Sequence, residues 1–135
     1  MGLLTATYSG PMRVTCRHEE SGAEISTIAP AKDGTEQGFS PTDLCAASLG
    51  MCAMTLMALM GERHNIDLSG MKVDMEKTMG TDPSRISQIK ITFHMPKREY
   101  SEKDRARLER AINICPIHST LAPEVEQIFD IRWPK

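Results

Sequence analysis

Residues 40–63 read SPTDLCAASLGMCAMTLMALMGER, and this stretch decides the architecture. Ser40 suits a helix N-cap and Pro41 suits the first helical position. Asp43, three residues past the cap, completes a capping box, in which each side chain serves the other's backbone N–H. At the far end Arg63 and His64 favour the negative pole of a helix, and Asn65 tolerates the left-handed cap conformation. The spacing therefore predicts one helix from Pro41 to about Arg63. Residues 44–61 carry no charge, which reaches the lower limit for a membrane span of roughly 20 apolar residues. Gly50, Gly61, Ser48, Thr55 and several alanines keep the stretch only modestly hydrophobic, so a buried helix of a soluble fold is expected and no membrane association. A helix apolar nearly all round needs cover on most sides. One small sheet covers one face, which leaves the remainder to a second subunit.

The flanking segments supply the sheets. Before the helix, residues 3–9, 12–18 and 23–28 read as short strands, broken by Gly10-Pro11 and Glu20-Ser21-Gly22. A loop follows from 30 to 39. After the helix, Met71, Val73 and Met75 alternate with Lys72, Asp74 and Glu76. Residues 80–84 turn the chain, and Ile89, Ile91, Phe93 and Met95 then alternate with Lys90, Thr92 and His94. That pattern predicts a long hairpin with one buried face. Ser101 and Asp104 cap a second helix whose apolar stripe is Leu108, Ala111 and Ile112. It must end before Pro116, where Cys115 and Pro116 read as the N-cap and first residue of a short third helix. A last strand is expected over 125–133. The order is βββ-α-ββ-α-α-β, an α+β fold with a mostly antiparallel sheet around the long central helix, in a single domain over 1–135.

Bulk composition narrows the function. A net charge of −2 and a pI near 6.1 offer no basic excess to neutralise phosphates, so nucleic-acid binding is not expected. Four cysteines stand at 16, 45, 52 and 115, with no CxxC pair, so neither a structural zinc site nor a thioredoxin-type motif is present. Residues 1–6 (MGLLTA) lack a basic segment followed by an apolar signal core. A cytoplasmic location with reduced, unpaired thiols is the expectation. Met51, Met54, Met57 and Met60 recur every three residues, but that step drifts around a helix, and methionine commonly fills core gaps. No metal site is expected.

Taken by physics alone, the cysteines differ. Cys115 precedes Pro116 at a helix start, where free N–H groups stabilise a thiolate. Cys52 lies mid-helix, where burial without a charge partner raises a thiol pKa and makes it inert. Cys45 is near the same helix face two turns earlier, and Cys16 lies in a strand beside Arg17. Each taken singly is most simply a small hydrophobe in a core. His118, about one turn after Cys115, is an auxiliary candidate, although a lone histidine is more often a surface or packing residue.

Residues 40–52, from Ser40-Pro41-Thr42-Asp43 to Met51-Cys52, resemble the signature of the OsmC/Ohr family, in which a proline-led helix start is followed by small residues and a cysteine about ten positions on. Cys115-Pro116-Ile117-His118 resembles the family's second mark, a Cys-Pro pair after the next helix, and the resemblance covers essentially the whole chain. It implies a cysteine-based hydroperoxide reductase. Cys52 attacks the O–O bond and becomes a sulfenic acid, Cys115 resolves it as a disulfide, and an external thiol or dithiol resets the pair, with no bound cofactor. It further implies an arginine from the N-terminal strands beside the thiolate. Arg13 matches by spacing and Arg17 is the reserve. An intertwined homodimer with the cysteine pocket at the subunit boundary is also implied. The well-studied peroxidases of the family carry a glutamate just after the helix-start proline. Here that position is Thr42, with Asp43 next to it, and Asp43 is explained by capping. Two alternatives stay open beside the peroxidase, a non-catalytic redox sensor and a small-molecule-binding dimer.

Overall fold

The structure, a computed structural model, describes residues 2–135. Among these, the elements run β1 (Leu4–Tyr8), β2 (Arg13–His18), β3 (Glu24–Ile28), α1 (Pro41–Arg63), β4 (Lys72–Gly80), β5 (Arg85–His94), α2 (Glu102–Asn113), α3 (Pro116–Thr120) and β6 (Glu126–Arg132). The order and the α+β class are those expected from the sequence. The chain forms two compact units, one reaching Leu44 and the other Cys45–Lys135.

In the first unit, β2 lies between β1 and β3, antiparallel to both. Strand alternation sorts its side chains. The register sets Ala6, Cys16 and Ile25 in one row and Tyr8 beside Val14 in the next, which makes one face apolar. Arg13, Thr15 and Arg17 belong to the opposite, polar face. The capping box of α1 is formed at the end of this unit. The Asp43 N–H donates to Ser40 Oγ at 3.1 Å, and the Ser40 N–H donates to Asp43 Oδ2 at 2.9 Å.

The second unit holds the core. Its sheet has the order β4-β5-β6. β4 and β5 pair antiparallel, whereas β5 and β6 pair parallel, which the intervening α2 and α3 make possible as a crossover. Ile89, Ile91 and Phe93 of β5 are fully buried, together with Leu49, Ala53 and Met57 of α1 and Leu108 and Ala111 of α2. Burying each large aliphatic side chain contributes about 1.5–3 kcal/mol, so this cluster dominates the unit's stability. Gly50 is where α1 meets the sheet most closely. A Cβ there would lie 2.4 Å from the Met75 sulfur and 3.4 Å from Ile91 Cδ1.

One expectation needs adjusting. The hairpin was expected to bury one face along both strands, but Met75 is 39% exposed and Met79 is 44% exposed. β4 is an edge strand, covered from one side only, whereas β5 is central. Within the single chain α1 buries a stripe, Ala46, Leu49, Gly50, Ala53, Met57 and Gly61, and not its whole circumference, as expected of a helix that one small sheet covers on one face. By length and composition it would cross a membrane, yet that stripe is packed into the sheet's core. Its C-terminus closes as expected. Asn65 takes φ 57°, the Asn65 N–H donates to the Glu62 carbonyl at 3.4 Å, and the Ile66 N–H donates to the Gly61 carbonyl at 2.7 Å. This is the paired 6→1 and 5→2 pattern that satisfies the last carbonyls of a helix.

Candidate functional site

Two of the four thiols are neighbours. Cys52 sits half-buried in the fourth turn of α1 and packs against the core, and Cys115 is fully buried at the start of α3. Their side chains are close enough for each sulfur to influence the other electrostatically. All four cysteines are free thiols. The helix that carries Cys52 and the turn that carries Cys115 converge because α2 and α1 both pack their apolar stripes on β5.

The turn at Cys115 is built as the sequence predicts. Cys115 is the N-cap of α3 with extended backbone angles (φ −68°, ψ 120°), and Pro116 follows at the first helical position. Its sulfur accepts from the His118 N–H at 3.5 Å. The preceding N–H, that of Ile117, faces Cys52 and favours its ionised form. Two successive backbone donors of one turn thus serve the two sulfurs.

Burial, first of all, pushes the Cys52 thiol pKa up; the hydrogen bond to Cys115 and the charge Cys115 carries when ionised act the same way, and the Ile117 N–H opposes them. These surroundings disfavour the Cys52 thiolate, as the mid-helix argument anticipates, and a nearby positive charge would oppose that effect.

His118 is held by β6. Its Nδ1 is hydrogen-bonded to Gln127 Oε1, Gln127 Nε2 donates to the His118 carbonyl at 3.1 Å, and its ring meets the edge of Phe129 at 5.6 Å. The structure therefore gathers Cys52, Cys115 and His118. Gln127 is a member that the sequence reading missed. No motif marks it, and only the register of β6, Gln127 opposite Ile89, places it beside α3.

The remaining candidates belong to the N-terminal unit. Arg13 opens β2 and is exposed. Arg17 is committed to the turn after β2, with Nε 3.0 Å from Glu19 Oε1 and a donor 3.4 Å from the Gly22 carbonyl. Thr42 Oγ1 shares a 3.0 Å hydrogen bond with Ser40 Oγ, and Asp43 closes the capping box. Cys16 is in β2, on the face opposite Arg13 and Arg17, and the Cys45 carbonyl accepts from Ser48 Oγ. Among the described residues, no group of three or more His, Cys, Asp or Glu side chains is arranged to hold a metal ion.

The chain is thus an α+β fold with two neighbouring free thiols, one on a long central helix and one capping a short turn. The OsmC-like protein family matches residues 34–128, and the chain belongs to that family. It is 31% identical to a crystal structure described as an osmotic stress induced and detoxification response protein from Psychrobacter arcticus 273-4, over 98% of this chain and 96% of that one, with a TM-score of 0.90. The organic hydroperoxide resistance protein of Elizabethkingia anophelis shares the fold at 16% identity, covering 99% and 96% of the two chains with a TM-score of 0.75. The protein OhrB of Bacillus subtilis, also an organic hydroperoxide resistance protein, does so at 16% identity over 98% of each chain, with a TM-score of 0.71. No curated protein matches the chain.

Proposed function

We propose that the protein is a thiol-dependent reductase of organic or small hydroperoxides, working through Cys52 and Cys115. The observation that carries the reading is the pair of neighbouring free thiols on these two elements. The Cys52 thiolate attacks the terminal peroxide oxygen, the O–O bond breaks, and the departing alkoxide takes a proton to leave as an alcohol. Cys52 is then a sulfenic acid. The Cys115 sulfur attacks it, a disulfide forms and water leaves. An external dithiol, oxidised to its own disulfide, restores both thiols. No bound cofactor takes part, and the reducing cytoplasm suits the cycle.

Arg13 supplies the positive charge that Cys52 needs in order to ionise. Arg17 is the poorer candidate because Glu19 and Gly22 already engage it. The chain works as a homodimer, with Arg13 offered by one protomer or the other. Two apolar surfaces support this assembly. Met51 and Leu59 of α1 are 61% and 49% exposed, and Leu4, Tyr8 and Ile25 of the N-terminal sheet are more than half exposed. A second copy that covers both buries well above about 2,000 Å² in total, the range of obligate dimers.

The test is steady-state consumption of an organic hydroperoxide with a dithiol reductant. The wild type turns over, and Cys52→Ser abolishes turnover. Replacing Cys16 and Cys45 together with serine leaves the rate intact. A loss in that double variant matching Cys52→Ser would refute the assignment. The retained proton on Cys52, together with Thr42 in the place of the family's glutamate, favours one second reading, a redox-sensing dimer that forms the same disulfide without turnover. Stoichiometric oxidation without sustained peroxide loss would identify it.

A further inference from the structure

Gln127 makes two side-chain hydrogen bonds to a single residue, His118. Its Nε2 donates to the His118 carbonyl at 3.1 Å, and its Oε1 is hydrogen-bonded to His118 Nδ1. A backbone carbonyl only accepts, so the amide nitrogen must face it and the amide oxygen must face the ring. That oxygen also only accepts. Nδ1 therefore carries the hydrogen in the neutral ring, and Nε2 is left with its lone pair. The ring is further fixed edge-on to Phe129 at 5.6 Å.

The clamped residue is the one whose neighbourhood contacts both sulfurs. The His118 N–H donates to Cys115 Sγ at 3.5 Å, and the preceding N–H, that of Ile117, is hydrogen-bonded to Cys52. α3 has only five residues, and its core stripe is weak, with none of them fully buried. Such a short helix does not hold its own geometry. The grip from β6, a strand paired along its length with the buried β5, supplies what α3 lacks.

We propose that Gln127 is a positioning residue for the dithiol pair. It clamps the 115–118 turn so that both sulfurs keep their backbone donors, and it fixes His118 as the Nδ1–H tautomer. The proposal rests on the reading of Cys52 and Cys115 as the reacting pair, but it concerns how that pair is held and not what oxidises it.

Two measurements on the full chain test it. Nitrogen NMR of the histidine rings reports the tautomer of neutral His118. Oxidation by diamide, an azo compound that accepts two electrons and two protons as the thiols become a disulfide, reports the rate of Cys52–Cys115 closure without any peroxide. The wild type is expected to show the Nδ1–H form. Gln127→Leu, which keeps the bulk and removes both hydrogen bonds, loses that preference and closes the disulfide about tenfold more slowly, the equivalent of about 1.4 kcal/mol and of the one or two hydrogen bonds lost. A wild-type Nε2–H ring, or a Gln127→Leu chain with unchanged tautomer and closure within about twofold, overturns the proposal. Should Gln127→Leu fail to fold, Gln127→Glu decides. Its carboxylate still accepts from Nδ1 but cannot donate to the carbonyl, so the tautomer stays and closure slows. A changed tautomer or an unchanged rate in that variant counts against the clamp. If closure depends on Gln127 as expected while hydroperoxide is not turned over, the peroxidase reading fails and the clamp stands.

Discussion

The N-terminal and C-terminal units solve the problem of burying apolar surface in opposite ways. Every buried residue lies between Ala46 and Cys115, whereas among residues 2–44 none is buried. The N-terminal sheet is as regular as the other, with two complete antiparallel ladders. It nevertheless leaves Tyr8 64% exposed and Leu4 62% exposed on its apolar face. Regular hydrogen bonding alone does not make a sheet self-sufficient, because isolated strands without a packed face are only marginally stable. The C-terminal unit carries the buried core and the Cys52–Cys115 pair, and the N-terminal unit carries an exposed apolar face and Arg13.

Core substitutions should break this contrast most severely. Leu49→Ala, at a fully buried position, is expected to destabilise the protein by about 2–5 kcal/mol at any protein concentration. Tyr8→Ala should instead act through assembly, lowering the melting temperature more in dilute than in concentrated samples. Thermal melts across a hundredfold range of concentration distinguish the two. If Tyr8→Ala has no effect at any concentration, the apolar face of the N-terminal sheet does not receive a second copy.

A smaller effect sharpens the contrast at the level of chemistry. Arg13→Ala is expected to slow hydroperoxide consumption by about tenfold or more, because loss of a charge partner next to a thiolate removes on the order of 1.4 kcal/mol or more. Arg17→Ala, whose guanidinium is spent on its own turn, should stay within about twofold. The reverse order in initial rates would move the N-terminal contribution from Arg13 to Arg17.

The smallest expected effect lies within the C-terminal unit. Burial raises the Cys52 thiol pKa most, and the neighbouring Cys115 raises it further. Cys115→Ala should therefore let Cys52 ionise at lower pH. The rate of Cys52 alkylation by iodoacetamide, followed against pH by peptide mass, should rise earlier than in the wild type. An unmoved or later rise would mean that the two sulfurs are not coupled.

Much of the fold was legible because its signals are local. Ser40 with Asp43 and Asn65 with Gly61 delimit α1 through backbone groups a few residues away, and Cys115 with Pro116 sets the start of α3 in the same manner. Alternation marks β5, whose Ile89, Ile91 and Phe93 are fully buried. It overstates β4, because whether a strand is central or at an edge depends on the order in which strands pair. The candidate site divides in the same way. The sequence, through its family signature, singled out Cys52 and Cys115 and explained Asp43 as a cap. It did not find Gln127, whose importance comes only from β6 lying parallel to β5 and so reaching α3.

By itself, then, the sequence determined the element order, the caps and the pair of cysteines worth watching, since each is written in residue types at short spacing. The tertiary structure decided that these two thiols are neighbours, that burial pushes the Cys52 thiol pKa up, and that His118 is gripped by Gln127. These follow from contacts between residues far apart in the chain, and burial, hydrogen-bond direction and thiol acidity are properties of such contacts and not of any single segment.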